Sequence, residues 1–187
     1  MKSGYSSVIH QRKQWLRPGQ PAQPVVSSGR FEKEVMLCVW WNFEGPVYWE
    51  LVPDGRAIDA HLYSQQLQHV YESLRHRYPA LINRKRVLLQ HDNAPAHWSH
   101  LVQQTLAELQ GIEVLPHLAY SPDIASSDYH LFHSMSHFLH GKLFTSVDVK
   151  NGISEFFASK PPEWYHHGIQ DLASRWLAFI QNNELYF

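Results

Sequence analysis

Val87-Leu88-Leu89-Gln90-His91-Asp92-Asn93-Ala94-Pro95-Ala96-His97 is the stretch whose reading decides the fold. Four residues suited to a buried strand run straight into His-Asp-Asn, and a proline then opens an amphipathic run. The pattern predicts a strand that delivers Asp92 to the carboxyl edge of a sheet, where open α/β sheets place their ligands. A carboxylate fixed there is a hard oxygen donor, the kind Mg²⁺ takes together with waters and phosphate oxygens. The competing reading is that Asp92 caps a helix beginning near Pro95, since aspartate is a preferred N-cap residue.

Upstream of that strand, Val35 to Trp41 and Val47 to Val52 are β-rich runs joined by Asn42-Phe43-Glu44-Gly45, a hairpin signal. Leu37, Val39 and Trp41 alternate with Met36, Cys38 and Trp40, so both faces of the first run are apolar and should be covered. Asp59 should cap a helix bearing Leu62, Tyr63, Leu67, Val70, Tyr71 and Leu74, closed by Pro79. Downstream, a second helix carries Leu101, Val102, Thr105, Leu106 and Leu109, with Gly111 ending it at C′. Ile112 to Leu115 reads as a short strand. Ser126-Ser127 should cap a third helix with Asp128 in its first turn and Leu131, Phe132, Met135, Phe138 and Leu139 on one face. Ser146 starts a further helix with Val149, Ile153, Phe156 and Phe157, which Pro161-Pro162 should break. A last helix, Ile169 to Ile180, should bury Leu172, Trp176, Leu177 and Ile180.

The order is hairpin, helix, strand, helix, strand, then helices. That is an α/β layout of the ribonuclease H-like kind, a mixed sheet flanked by helices. Its usual first strand has only Tyr5 to His10 to form it, so that strand is expected to be incomplete. No internal repeat or composition break divides the chain, and residues 1–187 read as a single domain. Residues 11–34 read as a basic, irregular arm, with Arg12, Lys13, Arg17 and Arg30 and no acid before Glu32. The arm could lie on phosphate, on a partner subunit, or in solvent.

Composition excludes several classes. A hydrophobic share of 44% argues for a packed core rather than disorder. A formal charge of −1 with neutral histidines gives no overall basic signature, so nucleic-acid binding can be argued only from local patches. The single Cys38 excludes an intrachain disulfide and fits a reducing compartment. No apolar run approaches the roughly 20 residues that span a bilayer, and no signal-peptide core is evident, so a soluble intracellular protein is expected. Histidine is the outlier at 14, yet nothing follows zinc-finger spacing.

A two-metal nuclease needs carboxylates converging on two cations about 3.5–4 Å apart. Asp92 at a strand end and Asp128 in a helical first turn could converge if that helix packs over the sheet edge. Otherwise Asp128 complements the helix dipole, an effect of about 0.3–1 kcal/mol. His91-Asp92-Asn93-Ala94-Pro95-Ala96-His97, followed by Tyr120-Ser121-Pro122-Asp123-Ile124-Ala125-Ser126-Ser127-Asp128-Tyr129-His130-Leu131-Phe132, closely resembles the catalytic domain of mariner-family transposases. Val39-Trp40-Trp41, Pro18-Gly19-Gln20-Pro21 and Glu184-Leu185-Tyr186-Phe187 fit the same family.

The resemblance implies DNA transposition in the nucleus, Mg²⁺ or Mn²⁺ in a two-metal site, and a homodimer on the transposon's terminal inverted repeats. It makes Asp92 and Asp128 the second and third catalytic aspartates and metal ligands, with Asp123 the alternative third. It also suggests DNA or partner contacts for Arg12, Lys13, Arg17, His97, His133 and His140. The family's first catalytic aspartate, in a Gly-Asp-Glu-Lys-Trp context before the Pro-Gly-Gln-Pro turn, has no counterpart in this sequence, and the resemblance leads us to expect the N-terminal helix-turn-helix DNA-binding region to be missing as well. The expectation is a transposase fragment with impaired catalysis. The rival is a non-catalytic DNA-binding or dimerisation module derived from a transposase.

His130, His133, His137 and His140 recur at helical spacing, on the face opposite the apolar stripe. They could bind a transition metal, but a solvated or DNA-facing surface is the plainer reading. Relatives tend to carry arginine at some of these positions and at His166-His167. Largely neutral imidazoles there would weaken phosphate contact at neutral pH.

Overall fold

A computed structural model describes residues 36–52, 55–84, 87–118, 121–140 and 146–183. The expected strand at Tyr5 to His10 and the basic arm at 11–34 lie outside the described residues.

Strands β1 (Met36–Asn42) and β2 (Gly45–Val52) form the antiparallel hairpin. Asn42 closes its turn: the side-chain Oδ1 accepts from the backbone N–H groups of Glu44 at 2.9 Å and Gly45 at 3.2 Å. Trp40 faces Tyr48 while Trp41 faces Pro46, so Val47 is bulged out of register beside a proline that has no N–H to give the ladder. Arg77 stabilises the bulge by donating to the carbonyls of Pro46, at 3.1 Å, and Val47.

Helix α1 (Ala60–Arg77) begins as expected, with Asp59 Oδ1 accepting from Leu62 N at 2.8 Å. It is followed by the short α2 (Pro79–Asn83), then β3 (Val87–Gln90), α3 (His100–Glu108) and β4 (Ile112–Leu115). The strands β3 and β4 pair in parallel, Val87 against Ile112 through Gln90 against Leu115. Among the described residues the sheet is therefore two separate two-stranded ladders rather than one continuous mixed sheet.

The two faces of β1 organise the core, as their alternation predicted. Cys38 and Trp40 pack with Leu62, Tyr63, Leu67, Val70 and Leu74 of α1 and with Val87 and Leu89 of β3. Leu37, Val39 and Trp41 face the opposite way, toward Leu131, Met135, Ile153, Phe156 and Tyr165. Helix α1 thus bridges the hairpin and the parallel pair, and β1 is sandwiched. Burial drives the Cys38 thiol up to about 11, leaving it neutral and unreactive.

A 3₁₀ turn, Pro122–Ile124, leads into a π-helical turn, Ser127–Phe132, which continues as α4 (His133–Leu139). Two corrections follow. Ser126 and Ser127 make no side-chain cap, because Ser126 is already helical and Ser127 Oγ accepts from Trp41 Nε1 at 3.0 Å. Pro161-Pro162 does not simply break a helix: α5 (Ser146–Ala158) ends, and Pro162 opens α6 (Pro162–Asn183), seven residues earlier than the apolar spacing suggested. Proline suits that place because a first-turn N–H has no helical partner to lose. The far half of α6 departs from expectation too, with Leu177 60% and Ile180 59% exposed.

Gly111 follows α3 two residues past its C-cap Leu109, at C″ rather than C′, with φ +88°. A Cβ there would stand 2.5 Å from the Ile82 carbonyl oxygen. Gly55 has a comparable φ of +76° but open space around it. Gly111→Ala should therefore destabilise by more than the roughly 1 kcal/mol of backbone strain expected of Gly55→Ala. The two denaturation midpoints give the difference, and equal losses would show that the loop at Ile82 yields freely.

Candidate active site

Strand β3 buries Val87, Leu89 and Gln90 and leaves Leu88 outside. A glutamine 5% exposed at the end of an apolar strand must find partners. Its Nε2 donates to the carbonyl of Ile124 at 3.0 Å and lies 3.3 Å from His117 Nδ1. Asn93 adds to the same seam, donating to the His117 carbonyl at 2.9 Å while accepting from Trp98 Nε1 at 3.1 Å. The end of β3, the loop after β4 and the 3₁₀ turn before Asp128 are thereby laced together.

Asp92 sits two residues beyond Gln90, at the carboxyl edge, with 18% of its side chain exposed. It does not cap α3. Ser99 does, its Oγ accepting from Val102 N at 3.3 Å, because Pro95 to Trp98 form a turn and the helix starts only at His100. Asp92 Oδ1 instead accepts from Ala94 N at 3.2 Å and faces His97 Nδ1 at 2.8 Å. His97, read from the sequence as a DNA or partner contact, is 2% exposed and turned inward onto Asp92, so its side chain cannot reach a phosphate backbone. His91 is equally buried, and its Nδ1 lies 2.8 Å from the Tyr63 hydroxyl. Burial, then the neighbouring His97, pushes His91 down to about 4, so it is neutral at pH 7. Burial foremost, then the charge of Asp92, holds the Tyr63 hydroxyl far above the ordinary range.

Asp128 stands in the first turn of the π-helical segment, half-buried, its N–H bonded to the Ala125 carbonyl at 2.8 Å. Turns of this kind are frequent at functional sites. Helix α6 pins the segment. Tyr129 Oη donates to the Gly168 carbonyl at 2.7 Å, the Arg175 guanidinium lies 3.8 Å over the Tyr129 ring, and Arg175 Nη1 donates to the Asp123 carbonyl at 3.3 Å. His130 Nε2 donates to the Trp164 carbonyl at 3.0 Å, with its ring 3.9 Å from Trp164 and stacked 6.2 Å from Trp41. A Cβ on Gly168 would strike that ring at 2.3 Å. His130 is thus a packing residue, whereas His133, His137 and His140 are exposed along α4 as the stripe predicted. The side chain of Asp123 is exposed on its turn, which makes it a looser candidate than Asp128.

Asp92 follows the end of β3 and Asp128 follows the 3₁₀ turn, and the Gln90 bond to the Ile124 carbonyl joins these two segments. Carboxylate oxygen donors suit Mg²⁺ or Mn²⁺ better than softer metals. Among the described residues no group of three or more histidine, cysteine, aspartate or glutamate side chains is placed to hold a metal. Arg12, Lys13 and Arg17 lie outside the described residues. Sequence reading missed Gln90, Tyr129 and Arg175. A polar residue closing an apolar strand was the one available signal.

Residues 5–84 match the family described as Transposase (partial DDE domain). The Mariner Mos1 transposase of Drosophila mauritiana is 43% identical over 177 residues, 94% of this chain and 51% of that protein. The Homo sapiens histone-lysine N-methyltransferase SETMAR is 35% identical over 175 residues, 93% of this chain and 25% of that protein. A pre-cleavage Mos1 transpososome superposes with a TM-score of 0.83 at 42% identity, covering 92% of this chain and 51% of that one. The Mos1 catalytic domain, solved with Mn and with Mg, superposes at 0.73 and 44% identity, covering 77% of this chain and 72% of that one. The chain belongs to the mariner transposase family.

Its fold is accordingly the ribonuclease H-like one expected from the order of elements. The mariner chain spans about half the length of the Mos1 transposase, 51%. No described helix of this mariner domain is long and apolar enough to cross a membrane. Because Ser99 rather than Asp92 caps α3, Ser99→Ala should lower the stability of the domain by about 1 kcal/mol in urea unfolding. A neutral Ser99→Ala would mean that the helix start is held by something else.

Proposed function

We propose that the chain is the catalytic stretch of a mariner-type DNA transposase, in which Asp92 and Asp128 hold a divalent cation, Mg²⁺ or Mn²⁺, for DNA strand cleavage and transfer. The observation that carries this reading is the tethering of their two segments, Gln90 Nε2 to the Ile124 carbonyl at 3.0 Å. The solved Mos1 catalytic domain with Mn or Mg supports the choice of cation, and the Mos1 transpososome supports DNA and a second copy of the chain as partners. Bound there, the cation would activate an attacking oxygen and stabilise a leaving one. The residues of the chain supply the rest: two hard oxygen donors, a strand end that sets one and a pinned helical turn that sets the other. A two-metal centre ordinarily draws on more acids than two. This stretch taken alone would hold cations less tightly and nick DNA feebly.

DNA is the substrate in this reading and the nucleus the place of action. Residues 1–187 act as one domain, with 11–34 clamping a second copy through Arg12, Lys13 and Arg17. The exposed His133 and His140 face the phosphate backbone.

One observation favours a second reading, a DNA-binding or dimerisation module without catalysis. SETMAR contains a matching stretch as only 25% of its length, so this domain also occurs within a larger protein named for a different chemistry.

Mn²⁺ binding followed by electron paramagnetic resonance separates the two. In the first reading Asp92→Asn and Asp128→Asn each weaken binding about tenfold or more. Mn²⁺ affinity unaltered by either substitution, with DNA binding retained, would establish the module instead.

A further inference from the structure

We propose that His97 is a positioning residue for the Asp92 carboxylate, acting through the proton on its Nδ1. The inference rests on the reading of Asp92 as a metal ligand and adds a residue to that site.

The turn after Asp92 makes the contact possible. His97 N bonds to the Ala94 carbonyl at 2.9 Å and Trp98 N to the Pro95 carbonyl at 3.3 Å, so the chain folds back and returns His97 to Asp92. His97 Nδ1 then faces two oxygens of one residue, the Asp92 carbonyl at 3.1 Å and Oδ1 at 2.8 Å. A carbonyl and a carboxylate can only accept, so Nδ1 carries the proton and donates to both. The backbone N–H of Ala94, 3.2 Å from Oδ1, is a second donor to the same oxygen.

The ring making this bond cannot swing away. It is 2% exposed, lies 4.0 Å from the Tyr63 ring and stacks on His91 at 5.0 Å with planes 6° apart. Tyr63 Oη and His91 Nδ1 are themselves joined at 2.8 Å. Three packed rings therefore hold one N–H against one carboxylate oxygen, which sets the rotation of the carboxylate before any cation arrives. Groups that orient a ligating carboxylate typically change metal affinity by about tenfold to a hundredfold when removed.

The test compares two substitutions of nearly equal shape in the full chain. Asn and Leu both remove the ring and its stacking, but the amide of Asn can still donate from about the position of Nδ1. Mn²⁺ affinity in His97→Asn should stay within a few-fold of the unsubstituted chain, and in His97→Leu fall by about tenfold or more. Equal affinities in the two would overturn the inference. Asp92→Asn serves as the control: if it leaves Mn²⁺ binding unchanged, the metal-ligand reading itself has failed, which is a different result. The unsubstituted chain gives a reading that does not depend on the variants folding. Nitrogen-15 spectra of labelled histidine at alkaline pH should show His97 with its proton on Nδ1, and a His97 protonated only on Nε2 would contradict the geometry.

Discussion

The bond from the Gln90 side chain to the Ile124 carbonyl is the constraint on which the site depends. Two requirements meet in it. An amide 5% exposed at the end of β3 has to be satisfied, and the carbonyl of a buried loop residue has to be satisfied as well. An unmade bond between buried groups costs about 1–3 kcal/mol for each group left without a partner. The cheapest arrangement for both is to lie against each other, and that fixes the strand leading to Asp92 beside the turn leading to Asp128. Neither aspartate is needed to explain this. The bond is made by groups that themselves do no chemistry.

The other side of the site is held by aromatic packing rather than by hydrogen bonds alone. Trp41 spans from β1 to Ser127 and stacks on His130, and Trp164 and Gly168 of α6 close over the same ring. Arg175 adds a cationic contact on Tyr129 and a bond to the backbone at Asp123. The helix carrying Asp128 is thus gripped from two elements far apart in the chain. This explains why its first turn can open into a π-helical form without fraying. The segment takes its order from outside, so its own backbone bonds need not be ideal. The tyrosine ring of this grip is itself partly buried, and that burial is the main reason the Tyr129 hydroxyl is pushed up to about 12, the nearby Arg175 partly opposing it.

What could be read in the sequence follows a physical line. The two faces of β1, the Asp59 cap and the strand ending at Asp92 were legible because each depends on neighbours within a few residues and on simple alternation. The opening of α3 was placed near Pro95 with Asp92 as the possible cap, whereas Ser99 caps it. What moves the helix start is the turn at Pro95 to Trp98, whose path depends on bonds to the loop after β4. Pro161-Pro162 does follow the end of α5, as read, but the start of the last helix was placed too late, because proline opens helices as well as ending them. The far half of α6 was read as buried from its apolar spacing. Periodicity shows that a helix has a face, not that anything in the described chain covers it.

The histidines make the same point more sharply, because one side chain serves three purposes within a short length of chain. The spacing of His130, His133, His137 and His140 marks a single face, yet His130 lies between two tryptophans while its three successors point to solvent. His91 and His97 were read as a flank of a motif and as a DNA contact, and both prove to be interior. An imidazole is polar enough to need a partner and flat enough to stack, so it can be buried wherever an aromatic wall and one acceptor coincide. At His97 those conditions are met by Tyr63 and by the carboxylate of Asp92 itself, and so packing and site geometry are served by the same ring. At His91 they are met only in part: Nε2 has no partner among the described protein groups.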